Sequence, residues 1–266
     1  MTDTAGARPL RIGVLVSATG ANLSTLLDLQ RREPERFQVA LVASHGERAG
    51  ALRVAREAGV ETWTGDFDEV CGLASRAEGP EDRTRYRALA RTWHDGLDDR
   101  IRAWERGNGD LDLIVLAYHR WIEGRLLERY RGRMINQHPG DLSVLDAQGR
   151  RVLVGKDPVR TAMRLGHRST RTSCFLVDGT RDGGPVLCMG PEVATGGRPA
   201  TVEAAWQQEL EQKERSDRAC LEWTVRALAD GRVTVSDRTH RDGSRVVLVD
   251  GNETPLGGMR MAEEGR

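Results

Sequence analysis

The strongest constraint on this chain is an alternation near its start. An apolar, β-branched run at 11–17 is followed by a glycine turn, Ala18-Thr19-Gly20, and then by Leu23, Leu26, Leu27 and Leu29 at helical spacing. A run that is apolar on both faces suits a strand covered on both sides, as in a parallel sheet between helices. The pattern repeats in a strand at 39–43, a helix at 49–58 stopped by Gly59, and a strand at 60–63. The order β-α-β-α-β predicts an α/β fold with a doubly wound, mostly parallel sheet and right-handed crossovers.

Residues 64–83 are charged and glycine-rich and read as an insertion. A long helix is expected over 86–104, then the most apolar strand at 111–117, a short helix at 124–130 and a strand at 133–136. Residues 139–157 read as a polar loop with a hairpin. Strands at 172–177 and 185–189 flank the turn 178–184, and a last long helix covers 202–229 before Asp230-Gly231. Segments 232–236 and 244–249 look like a peripheral β extension. The expected organisation is a disordered start (1–10), one domain over 11–235, and a small C-terminal β extension and tail over 236–266.

Composition removes several classes of function. The 40 basic residues balance 40 acidic ones, so there is no broad cationic field for nucleic acid or an anionic membrane. All but two of the basic residues (Lys156 and Lys213) are arginine, a skew that reads mostly as solvated surface. The longest apolar runs, such as 114–117, fall far short of a membrane span. The polar start, Met1-Thr2-Asp3-Thr4, lacks a secretory signal pattern. Cys71, Cys174, Cys188 and Cys220 are scattered, with no metal-site spacing. The expectation is a soluble cytoplasmic protein, monomer or homodimer, with no metal, nucleic acid or membrane partner.

Four features fall where strands end, the ligand-binding edge of an open α/β sheet. Thr19-Gly20-Ala21-Asn22 joins the first strand to its helix, where free amides and the helix dipole suit phosphate. It is neither a dinucleotide fingerprint nor a Walker loop, and many such turns bind nothing. Tyr118-His119-Arg120-Trp121 follows the most apolar strand and could hold a planar acidic ligand, or simply pack Trp121 in the core. Asn136 and His138, two apart on an extended segment, place an amide donor beside an imidazole, the pair an oxyanion-forming acyl transfer needs. The structural alternative is a lone histidine. Asp182-Gly183-Gly184-Pro185 offers close backbone approach and a carboxylate to orient an imidazole, or else an ordinary turn. No activated Ser or Cys nucleophile is apparent, which favours direct transfer.

Together these segments resemble the folate-dependent phosphoribosylglycinamide formyltransferases, over about residues 11–235. Val14-Leu15-Val16-Ser17-Ala18-Thr19-Gly20-Ala21-Asn22-Leu23 stands where that family reads V-L-I-S-G-N-G-S-N-L. Ile114-Val115-Leu116-Ala117-Tyr118-His119-Arg120-Trp121-Ile122 matches V-V-L-A-G-F-M-R-I-L with one residue fewer. Asn136-Gln137-His138-Pro139 matches N-I-H-P, Arg181-Asp182-Gly183-Gly184-Pro185-Val186 matches L-D-G-G-P-V, and Ala229-Asp230-Gly231-Arg232 matches A-D-G-R.

The resemblance implies a formyltransferase-like variant of the Rossmann fold. It implies a catalytic set of Asn136, His138 and Asp182, with N10-formyltetrahydrofolate as co-substrate and no metal. The folate would lie against Arg120, Trp121 and Ile122 and the turn carrying Asp178, Arg181 and Gly183. Thr19, Gly20, Ala21 and Asn22 would hold the phosphate of a small amine, and Asp217 its ribose, the expected acceptor being glycinamide ribonucleotide. The departures lie in the loop after His138, which reads Pro139-Gly140-Asp141-Leu142-Ser143 where the family has P-S-L-L-P, and in the 64–83 insertion. A paralogue formylating another small amine, a formyltetrahydrofolate hydrolase and a non-catalytic folate-binding protein are the alternatives.

Overall fold

The structure, a computed structural model, describes residues 8–262. Of the segment expected to be disordered, residues 1–7 lie outside the described residues. Leu10 already opens the first strand, and Arg8 pairs with Asp112 at 2.6 Å. The chain divides into two compact units, Met1–Met134 and Ile135–Arg266.

The first unit is built on four parallel strands, β1 (Leu10–Val16), β2 (Phe37–Ser44), β3 (Glu61–Thr64) and β4 (Leu113–Ala117), in the order β4-β1-β2-β3. The apolar runs that announce these strands form the core: Ile12, Val14, Leu41, Val42, Ile114 and Val115 are all buried. Helix α1 (Ala21–Arg32) buries Leu23, Leu26, Leu27 and Leu29, the periodic leucines of the sequence. Helix α2 (Gly50–Glu57) joins β2 to β3.

The segment read as an insertion is largely helical. It holds α3 (Phe67–Cys71), capped by the Asp66 side chain on the Glu69 amide, and a 3-10 turn at Ala74–Arg76. Helix α4 (Pro80–Asn108) starts six residues before its expected position. Its first turn carries Pro80, Glu81 and Asp82, residues suited to a helix N-terminus by fixed φ and by the dipole. Helix α5 (Arg125–Arg129) follows β4. It is bound to α4 through buried carboxylates: Arg129 reaches Asp98 and Glu105, and the Tyr130 hydroxyl donates to Glu105.

Strand β5 (Met134–His138) starts at the last residue of the first unit and runs into the second from Ile135. Here α6 (Pro158–Arg164), β6 (Ser169–Thr170), β7 (Ser173–Leu176), β8 (Val186–Met189) and β9 (Val193–Ala194) come next. Antiparallel pairing joins β5 to β7, β7 to β8, and β6 to β9. The expected hairpin in the 139–157 loop is a single antiparallel bridge, Leu145 to Arg151. Helix α6 has no counterpart among the elements expected from the sequence; Pro158, which follows the 139–157 loop, is its first residue.

The helix expected over 202–229 is two helices, α7 (Val202–Gln212) and α8 (Arg218–Ala229), separated by a π-helical turn at Lys213–Asp217. The widened turn brings Ser216 against the strand layer, where its hydroxyl accepts from the Thr172 amide at 3.0 Å. The C-terminal extension is present as an antiparallel meander, β10 (Val233–Thr239), β11 (Arg245–Val249) and β12 (Asn252–Glu253). A further strand, β13 (Met259–Arg260), pairs in parallel with β8. Within the first unit the pairings among β1 to β4 are all parallel, and within the second those joining β5, β7 and β8 are antiparallel, with helices accompanying the strands in each. Among the described residues, no helix is long and apolar enough to cross a membrane.

Candidate active site

In the first unit, β2 and β3 extend from one side of β1 while β4 lies on the other. The carboxyl ends of β1 and β4 therefore flank a reversal of strand order, where open α/β sheets bind ligands. Two of the marked segments leave from these ends and are tied together. The His119 amide donates to Ser17 Oγ at 2.9 Å, and the Ser17 amide donates to Ala117 O at 2.9 Å.

The 19–22 loop turns on Gly20, whose φ is +99° and whose Cβ, if present, would lie 2.9 Å from the Ala51 backbone. Only glycine meets both conditions. Gly20 caps α1 without a side chain, so the helix begins with amides not claimed by a capping group. That end carries partial positive charge. Thr19 and Ala21 are exposed beside it.

The loop after β4 is gripped by α3 and α4. Arg120 Nε and Nη2 donate to the two carboxylate oxygens of Asp68 at 2.9 and 2.5 Å. The same guanidinium lies 5.8 Å from the ring centre of buried Phe67. Glu123 is buried on Arg87, 2.6 Å away, and the Arg125 amide donates to Asp95 at 2.6 Å. The guanidinium that the sequence offers to an acidic ligand is thus engaged by Asp68, from the segment read as an insertion. The loop presents instead its backbone and the indole of Trp121, 37% exposed, while Ile122 belongs to the core. Beneath it His94 is fully buried between Phe67 and Tyr118, with no hydrogen-bond partner on either ring nitrogen. Burial pushes His94 down to about 4.

The second unit brings Asn136, His138 and Asp182 together. Strand β5 runs through His138, so the ladder to β7 fixes both residues, with Asn136 opposite Phe175 and His138 opposite Ser173. Alternation places them on one face. Gln137, on the other, donates to the Asp217 carbonyl at 2.8 Å. His138 is buried, and its Nε2–H donates to the Leu153 carbonyl at 2.7 Å. Its Nδ1 lies 3.8 Å from Asp182 Oδ1, which leaves the lone pair of the neutral ring facing the carboxylate. Burial holds His138 below its ordinary value; Asp182 and the Leu153 carbonyl oppose that shift, while Arg181 and Arg151 reinforce it. Among the described residues the side-chain amide of Asn136 has no hydrogen-bond partner.

Asp182 adopts a left-handed φ of +49° in the turn between β7 and β8, a conformation aspartate tolerates better than most residues. Its Oδ2 accepts from the Gly155 amide at 3.0 Å. The glycines beside it serve the turn itself. A Cβ on Gly184 would fall 1.8 Å from the Leu176 carbonyl, and one on Gly183 would strike Thr180. Asp178 closes the turn by accepting from the Thr180 amide at 2.8 Å, and Arg181 is exposed over Gly155. Asp217 ends the π-helical turn, accepting from the Thr172 hydroxyl, and burial pushes its carboxyl up to about 6.

Several contributors had no sequence signal. The Leu153 carbonyl and the Gly155 amide act through backbone, which no side-chain motif reports. Arg151 and Asp242 form a buried ion pair at 2.7 Å that nothing in an arginine-rich sequence distinguishes from surface pairs. Beyond Pro139 and Gly140 lies a cavity of about 170 Å³ whose polar lining includes Asp141, Arg171 and Glu192.

Against known proteins, the Formyl transferase family profile matches residues 10–209. Phosphoribosylglycinamide formyltransferase of Escherichia coli (strain K12) is 27% identical over 179 residues, covering 67% of this chain and 70% of that protein. The crystal structure of glycinamide ribonucleotide transformylase 1 from Symbiobacterium toebii superposes with a TM-score of 0.65 at 24% identity, covering 92% of this chain and 99% of that one. A formyltetrahydrofolate deformylase from Burkholderia mallei superposes with a TM-score of 0.59 at 18% identity, covering 92% and 70%. The profile spans well over half of the sequence, including the β1 and β4 loops and the Asn136, His138 and Asp182 set, and on that match the chain belongs to the formyl transferase family.

Proposed function

We propose that the protein transfers the formyl group of N10-formyltetrahydrofolate to the amine of a small phosphorylated acceptor, glycinamide ribonucleotide being the first choice. The observation that carries the reading is the juxtaposition of an unpartnered Asn136 amide with a buried His138 whose Nδ1 faces Asp182. The acceptor amine attacks the formyl carbon and the new C–N bond forms. The carbonyl oxygen becomes an oxyanion, which accepts from the Asn136 side-chain amide. His138, neutral and already donating through Nε2, takes the amine proton on Nδ1, where the Asp182 carboxylate stabilises the imidazolium. The proton then passes to N10 as the old C–N bond breaks, releasing tetrahydrofolate.

Phosphate is assigned to Thr19, Gly20, Ala21 and Asn22, whose helix end offers amides rather than cationic side chains. The donor is assigned to the backbone of Arg120, Trp121 and Ile122, with Asp178, Arg181 and Gly183, and Asp217 is assigned to the acceptor's sugar. The chemistry calls on no metal, and the protein is read as cytoplasmic.

The test is direct. Protein, N10-formyltetrahydrofolate and glycinamide ribonucleotide together should yield the N-formyl ribonucleotide, read by mass spectrometry. His138→Ala should abolish product while donor binding by calorimetry survives. Release of formate without formylated amine would replace transfer by hydrolysis. Formylation of other amines but not this one would move the acceptor assignment.

A further inference from the structure

Arg151 is a buried arginine whose donors go to three places. Nη1 donates to the Asp182 carbonyl at 2.5 Å, Nη2 to the Gly184 carbonyl at 3.0 Å, and Nε to Asp242 at 2.7 Å. The side chains of Arg151 and Asp242 are 5% and 2% exposed. Asp242 is itself fixed, its other oxygen accepting from the Ser244 amide and hydroxyl at 3.0 and 2.7 Å. It lies between β10 and β11, beyond the matched family profile.

The loop that carries Arg151 reaches the catalytic set at three alternate residues. Arg151 holds the turn carbonyls, Leu153 O receives His138 Nε2, and the Gly155 amide holds Asp182 Oδ2. A left-handed aspartate persists only where its surroundings over-determine it, and the two carbonyls flanking this turn are gripped by one planar fork. We infer that Arg151, anchored by Asp242, is a positioning residue, fixing the 182–184 turn so that the Asp182 carboxylate faces His138. The C-terminal extension is thereby a working part of the catalytic unit.

The inference rests on the formyl-transfer reading of Asn136, His138 and Asp182. Its test uses the full chain with Arg151→Lys, which keeps the positive charge opposite Asp242 but cannot span two carbonyls. Turnover should fall tenfold or more, with the KM for the formyl donor within twofold of the parent. The charged groups facing His138 are Asp182, Arg181 and Arg151. Because lysine retains the charge at 151, displacement of Asp182 should appear as a shift of the His138 ring titration, followed by NMR, to lower pH. Asp242→Asn should move both readouts in the same direction. A folded Arg151→Lys protein with unchanged kcat and an unmoved His138 titration overturns the inference. Absence of formyl transfer in the parent would refute the functional reading instead, and the titration would still decide the positioning role.

Discussion

His94 makes an acid-sensitive fault line in the first unit. It is fully buried, with neither ring nitrogen hydrogen-bonded, and its folded-state pKa is pushed down to about 4 from 6.5. Between these values the unfolded chain binds a proton that the folded chain does not, so stability is lost as pH falls. The shift corresponds to about 3 kcal/mol in full, of which about 2 kcal/mol is gone by pH 5. His94→Leu keeps a similar volume and removes the titration. Other groups titrate in the same range with mixed signs. Burial raises Asp217 to about 6, so the folded chain binds the extra proton there and Asp217 favours folding as pH falls. The measurement is therefore a difference: urea unfolding of parent and variant at pH 7 and pH 5. The variant should gain about 2 kcal/mol on the parent between the two conditions. Parallel stability curves would refute the argument, because a histidine that costs the same in both states is not buried neutral.

Four further outcomes are expected. Asn136→Ala should lower kcat by roughly 10²–10³, the effect of losing one oxyanion donor, with donor affinity by calorimetry little changed. Asp68→Asn should raise the donor KM several-fold while saturating turnover changes less, since Asp68 fixes Arg120 on the proposed donor loop; equal KM values would separate α3 from donor binding. Gly20→Ala should cost more than about 1 kcal/mol in chemical denaturation, because the position combines φ of +99° with a backbone neighbour at 2.9 Å. Asp217→Asn should make stability fall more steeply between pH 6 and pH 4, because it removes the buried carboxyl near 6 whose protonation favours the folded chain and offsets the loss from His94.

The parts of this protein legible in its sequence are those set by short-range periodicity. The apolar runs at 11–17 and 111–117 become β1 and β4 because nothing else buries both of their faces. The leucines after Gly20 become α1 because their spacing makes one stripe. Asn136 and His138 were visible as a pair because a strand places alternate residues together. What stayed hidden depends on long-range contact. The 64–83 segment reads only as an insertion because its helix α3 is short and its charge Asp68 finds Arg120 only in the folded unit. The single long helix at 202–229 gave no sign of its π-helical turn, which is set by the packing of Ser216 on Thr172. Leu153 and Gly155 act through peptide groups that every residue carries.

The two-residue strand β13 has a consequence for how this protein behaves in solution. It covers the free edge of β8, and the Met261 amide adds a bond to the Met189 carbonyl at 3.0 Å. Removing residues from Met259 onward would leave a row of unpaired amides and carbonyls along an apolar strand, a template onto which another chain's extended segment can add. Such a shortened protein should lose solubility before it loses secondary structure. In this view the last strand acts as a guard against self-association.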